Sequence, residues 1–220
     1  MRPQYCYQNC FDVSSTSRIL QDGPTRSALT EIQILLRFRD PCLPVFLAYK
    51  YAEDRDGFDT IKLDIFTQWC ELGSVASWIC STQPADWKAK ARIHVLLKIA
   101  ETLSFLHTNQ AACVFHQNVS TRTVVLQSPD HPVLVDFTNA IVVNRETDKA
   151  DSVQDTDQRN ILIRGHRRDV LGFAKFWVEV WSYQLWEDSR DSLDLDKMTK
   201  EDKVTLVGCC VTQRLMFLQH

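Results

Sequence analysis

The chain has 220 residues, 45% apolar and 24% charged, which suits one domain, or one with a small second lobe, and is too apolar for global disorder. A net charge of −3 leaves no basic footprint for nucleic acid or a membrane surface, and no run approaches the roughly 18 apolar residues of a membrane span. The opening MRPQYCYQNC lacks the apolar core of a leader, so a cytoplasmic or nuclear protein is expected.

In such a compartment the eight cysteines are expected to be reduced and mostly buried. Cys6 and Cys10 have no second close pair to complete a zinc set, and adjacent Cys209-Cys210 is poor metal geometry.

In chain order, Tyr5–Val13 reads as a strand, followed by a polar stretch to Arg26. Ser27 to Phe38 reads as a helix with Ser27 as N-cap, Leu29, Ile32 and Leu36 on one face, and Asp40-Pro41 as its stop. Leu43–Tyr51 and Ile61–Trp69 read as strands joined by a charged hairpin over Glu53–Asp59. A long helix is expected over Trp87–His107, carried by Leu96, Ile99, Ala100, Leu103 and Leu106.

Residues 112–137 follow as a loop and a short hairpin, in which Val124–Leu126 and Val133–Val135 flank Ser-Pro-Asp-His-Pro. The polar stretch 144–168, with four acids between Asp148 and Asp157, reads as a surface loop. Asp169–Trp186 reads as a helix apolar nearly all round, with Val170, Phe173, Ala174, Trp177, Val178, Trp181 and Leu185 as one stripe and Leu171, Phe176 and Val180 filling the other side.

This order resembles that of a protein kinase domain, and short motifs carry the same resemblance. His116-Gln117-Asn118, with Thr123 and Val124–Leu126 after it, resembles the family's catalytic loop H-R-D-L-x-x-x-N and its following strand. Asp136-Phe137-Thr138, eighteen residues after Asn118, resembles D-F-G. Thr30–Leu35 looks like the helix that carries the ion-pair acid, here Glu31, and Phe66–Ser74 looks like the adenine hinge with Thr67 as gatekeeper. Asp169-Val170-Leu171-Gly172-Phe173 resembles the start of the family's buried helix.

The resemblance implies an α+β, two-lobed kinase-like fold over 1–186, with an abbreviated antiparallel β lobe in 1–70 and a mainly helical lobe in 71–186. Residues 187–220 have no assigned role. Gln68, Trp69, Cys70 and Glu31 are the nucleotide-binding positions it implies, Asp136 and Thr123 the metal positions, and Asn118 and His116 the catalytic-loop positions.

Judged part by part, the chemistry of phosphoryl transfer is damaged. The strand lysine would fall on Gln8 or Asn9, the first Lys of the chain is Lys50, and no G-x-G occurs. Asn118 replaces the catalytic carboxylate, and an amide cannot take a proton near neutral pH. Thr123 replaces the second metal ligand, and Gln117 the arginine that receives an activating phosphate. His116 is expected to brace the loop rather than act as a base. Asp136 either holds one Mg2+ with a nucleotide or caps local backbone amides.

The sequence therefore predicts a pseudokinase-type module that binds or regulates other proteins in signalling, an active kinase among the expected partners, with no nucleic acid or membrane. ATP and Mg2+ would be bound weakly or not at all. The alternative is an atypical kinase or ATP-binding domain that uses Asp136 and Glu31 to phosphorylate protein.

Overall fold

The computed structural model describes residues 24–53, 61–144 and 154–185. The expected strand over Tyr5–Val13 with its Gln8 and Asn9, the tip of the charged hairpin, the outlying cysteine pairs and 187–220 lie outside the described residues.

Helix α1 (Pro24–Arg37) starts three residues before the expected cap, with Pro24 at its first position, where a missing N–H costs nothing. Ser27 therefore lies inside the helix. The buried face also differs from the expected one. Ala28, Glu31, Ile32, Ile34, Leu35 and Phe38 turn inward, while Leu29 and Leu36 are exposed.

After α1 the Asp40 carboxylate accepts from Cys42 N (2.9 Å) and Thr102 Oγ1 (2.9 Å), which ties the turn to the long helix. Strands β1 (Phe46–Glu53) and β2 (Ile61–Thr67) pair antiparallel from Phe46↔Thr67 to Glu53↔Ile61, with a bulge between Phe46 and Ala48. β2 stops at Thr67, two residues short of the expected Trp69.

A short helix absent from the sequence expectations, α2 (Val75–Ser81), follows. The Ser74 hydroxyl caps it by accepting from Ser77 N. Helix α3 (Ala89–Thr108) begins just after Trp87, which is instead a fully buried anchor whose indole donates to Pro129 O at 2.7 Å. Leu96, Ile99, Leu103 and Leu106 are buried as expected, joined by Val95.

β3 (Ala112–Phe115) pairs antiparallel with β6 (Ile141–Asn144), so the stretch expected as loop opens on a strand. The expected hairpin is present as β4 (Val124–Ser128) and β5 (His131–Leu134), turning at Pro129-Asp130. A 3-10 turn spans Phe137–Asn139. The architecture is α+β, with three two-stranded antiparallel sheets among the described residues. No described helix is long and apolar enough to cross a membrane.

The largest departure is helix α4. It runs from Gln154 to Ser182, so much of the stretch expected as a surface loop is helical and continuous with the buried segment. Phe173, Phe176, Trp177 and Val180 pack into the core formed by α3, β3 and the β4–β5 hairpin, while Leu171, expected inside, is exposed.

Two glycines permit the close approach of α4 to residues 115–119. A Cβ on Gly165 would sit 2.7 Å from the Phe115 ring, and one on Gly172 2.7 Å from the Val119 carbonyl oxygen. Because the second obstacle is backbone, Gly172→Ala is expected to destabilise the fold by about 1–3 kcal/mol in urea unfolding, overriding the helix preference for Ala of about 1 kcal/mol.

Candidate functional site

The site is assembled around one carboxylate on α4. Asp169 is fully buried, and burying a charge demands that its hydrogen-bonding capacity be met. Its Oδ1 accepts from Gln117 N (2.6 Å), and its Oδ2 from His116 N (2.8 Å). Oδ2 also lies 2.8 Å from His107 Nε2 at the end of α3. These bonds hold the backbone of residues 116–117, where Gln117 adopts φ 67°, a left-handed conformation that needs external support in a residue other than glycine. The Gln117 side chain adds a bond from Nε2 to Gly165 O at 2.9 Å. Where the resemblance implies a phosphate-receiving arginine, this glutamine is buried and internally bonded.

His116 is fully buried and links both halves of the site. Its Nε2 donates to Val135 O (2.9 Å), its Nδ1 accepts from Asn118 N (3.2 Å), and its ring meets Phe137 edge-on at 4.7 Å between centroids. That pattern fixes the neutral Nε2–H tautomer. Burial accordingly pushes the His116 pKa below the ordinary 6.5, against the pull of the Val135 carbonyl and of Asp169.

Below pH 6.5 the unfolded chain binds a proton that the folded ring resists, so stability should fall as pH falls through that region. Burial lowers His166 in the same direction. His116→Phe is expected to flatten the slope of urea stability against pH between 7 and 5 by up to about 1.4 kcal/mol per pH unit.

Asp136 sits at φ 67° and ψ 70°. Both of its oxygens are taken by neighbouring side chains: Oδ1 accepts from the Thr138 hydroxyl (2.5 Å), and Oδ2 from the Asn118 amide Nδ2 (3.2 Å). Its carboxylate caps no backbone amide of the following turn, so of the two roles expected for it the backbone cap is replaced by a side-chain clasp.

Thr123 is likewise committed. Its Oγ1 donates to Asn118 O (2.6 Å) and accepts from Ser120 N (3.0 Å), closing the 118–123 loop on itself. In this arrangement the side-chain oxygens of both residues serve local donors and acceptors. Among the described residues no group of three or more His, Cys, Asp or Glu is placed to hold a metal.

Glu31 is 7% exposed and reaches the same centre from α1, its Oε1 accepting from Phe137 N at 3.4 Å. The hinge positions arrive from the other side. Gln68 is exposed, Trp69 is half-buried, and Gln68 N donates to Val45 O at 3.0 Å. Cys70 is buried against Val125, Val133 and Val135, the last adjoining Asp136, and burial pushes its thiol up to about 11.

Glu31, Cys70, His116, Asn118, Thr123 and Asp136, chosen from sequence, therefore converge on the hairpin and the turn after it. The sequence reading missed the anchoring by Asp169 and His107. One signal was present: Asp169 opens the apolar run of the helix, and an acid buried there must meet donors.

No family model matches the chain. Over 115 residues it is 32% identical to Interleukin-1 receptor-associated kinase 3 of Mus musculus, a match covering 51% of this chain and 17% of that protein. The similarity supports a kinase-like relationship. The chain spans about one sixth of the length of this curated relative.

Proposed function

We propose that this chain is a catalytically impaired, pseudokinase-type module that works in signalling by binding or regulating other proteins, an active kinase being the partner type that its resemblance suggests. The two-lobed kinase arrangement over 1–186 and a cytoplasmic or nuclear location belong to the same proposal. The observation that carries it is the closed clasp at Asp136, whose carboxylate is held by Asn118 and Thr138 instead of facing an open metal position.

Asn118 offers no proton acceptor, Thr123 is turned into its own loop, and Glu31 accepts from the Phe137 amide. What the segment retains is shape: a loop backbone anchored on Asp169 and a turn packed on His116. A rigid shell without its chemistry suits recognition better than turnover.

The test is thermal unfolding with millimolar ATP and Mg2+. Ligand bound only to the folded state raises the midpoint by mass action, and about 100-fold excess over Kd would stabilise by about 2.7 kcal/mol. No shift is expected. Phosphate transfer from ATP to protein that disappears in Asp136→Ala would overturn the proposal and favour an atypical kinase built on Asp136 and Glu31.

A further inference from the structure

The first half of α4 carries a surface that the clasp and its anchor do not use. Ile163 and Leu171 are 66% and 60% exposed, and Arg164, Arg167 and Arg168 are exposed beside them. Spacings of three and four residues set all five on one strip about 12 Å long, opposite the buried side of Gly165, Asp169 and Phe173.

Three arginines at such spacings repel one another, and like-charge pairs on a helix weaken it. The neighbouring acid offers no relief, because the Asp169 carboxylate turns inward to His116, Gln117 and His107. No ion pair or hydrogen bond ties the Arg164, Arg167 or Arg168 side chain to a described acid. A concentrated positive strip thus stands at a local cost on a chain of net charge −3 and is flanked by apolar side chains.

Resting on the protein-binding reading above, we infer that this strip docks an acidic, leucine- or isoleucine-bearing segment of a partner protein. Carboxylates would pair with the three guanidinium groups, and the apolar residues would cover Ile163 and Leu171. An anionic membrane is the poorer match. A helix lying in a membrane surface inserts a broad apolar face, and α4 spends that face on the core through Phe173, Phe176 and Val180.

The probe is a fluorescein-labelled synthetic peptide of about 14 residues, about 21 Å as a helix, with Leu at every fourth position and Glu between. Titrated with the full 220-residue chain, it is expected to give a saturable rise in anisotropy that weakens with added salt. The triple substitution R164Q/R167Q/R168Q should weaken binding by about tenfold or more. I163S/L171S should weaken it less, and a Gln-for-Glu peptide should not bind. The triple Arg→Lys chain keeps the charge and should bind, which separates loss of the strip from loss of the fold.

The inference is overturned if the wild-type chain leaves the peptide free, if the Gln triple binds equally, or if phosphatidylserine vesicles are bound in place of the peptide. It is also overturned if binding appears only after Asp191→Asn, Asp194→Asn and Asp196→Asn, which would give the strip to the chain's own acidic stretch. Any of these leaves the impaired-kinase proposal standing, whereas phosphate transfer would remove that proposal without touching the strip.

Discussion

Asp169→Ala should destabilise the fold by about 3–5 kcal/mol, among the largest effects available to a single substitution here. The side chain is fully buried and receives His116 N, Gln117 N and the His107 ring. Removing it strands two amides and one imidazole in a space closed to water, and each unsatisfied buried group costs about 1–3 kcal/mol. A domain of marginal stability, about 5–15 kcal/mol in all, would lose a large share of it.

Two companion variants apportion the loss. Asp169→Asn keeps one acceptor oxygen and should fall between wild type and Ala. His107→Ala leaves both amide bonds in place and should cost less than Asp169→Ala. Urea midpoints at pH 7.5 would rank them, and a loss below about 1 kcal/mol for Asp169→Ala would mean that the loop is held by packing instead of by this carboxylate.

The same carboxylate shows why the helix before it was illegible in sequence. Among the described positions of α4 before Phe173, the buried ones are Gly165 and Asp169, neither apolar, so no buried 3.6-residue hydrophobic stripe is described there. The exposed positions meanwhile include Arg159, Arg164, Arg167 and Arg168, a polar run that reads as loop. Helix α1 misled for a related reason. Its inward stripe includes Glu31, and two of its leucines face out.

β3 was missed because all four of its residues are buried, leaving no alternation. The β4–β5 hairpin was legible because its apolar runs bracket a Pro-Asp turn. The candidate site followed the same rule. Residues whose interval matches that of the resembled motifs, such as Asn118 and Asp136, could be read together, while the bond from Gln117 to Asp169, spanning 52 residues, was not anticipated from spacing.

Restoring the missing acid should fail, and in a diagnostic way. In Asn118→Asp the group that donates to Asp136 Oδ2 at 3.2 Å becomes a second carboxylate, so an attraction turns into a like-charge contact. Two carboxylates this close cannot both ionise freely, and one is held protonated above its ordinary range. A raised folded-state pKa means that the folded protein binds more protons than the unfolded one above about pH 4, so stability drops as pH rises through that window.

The variant should therefore lie close to wild type near pH 4 and be less stable by about 1–3 kcal/mol at pH 7.5. No phosphate transfer is expected at either pH, because Thr123 still closes on Asn118's carbonyl position and Thr138 still holds the other oxygen of Asp136. Measured transfer by Asn118→Asp would mean that a single amide stands between this shell and a working centre. A stability loss independent of pH would mean that the clasp matters through shape and not through charge. The double substitution N118D/D136N, which reverses the clasp by letting an amide at 136 donate to a carboxylate at 118, should recover most of the stability lost at pH 7.5 and still transfer no phosphate.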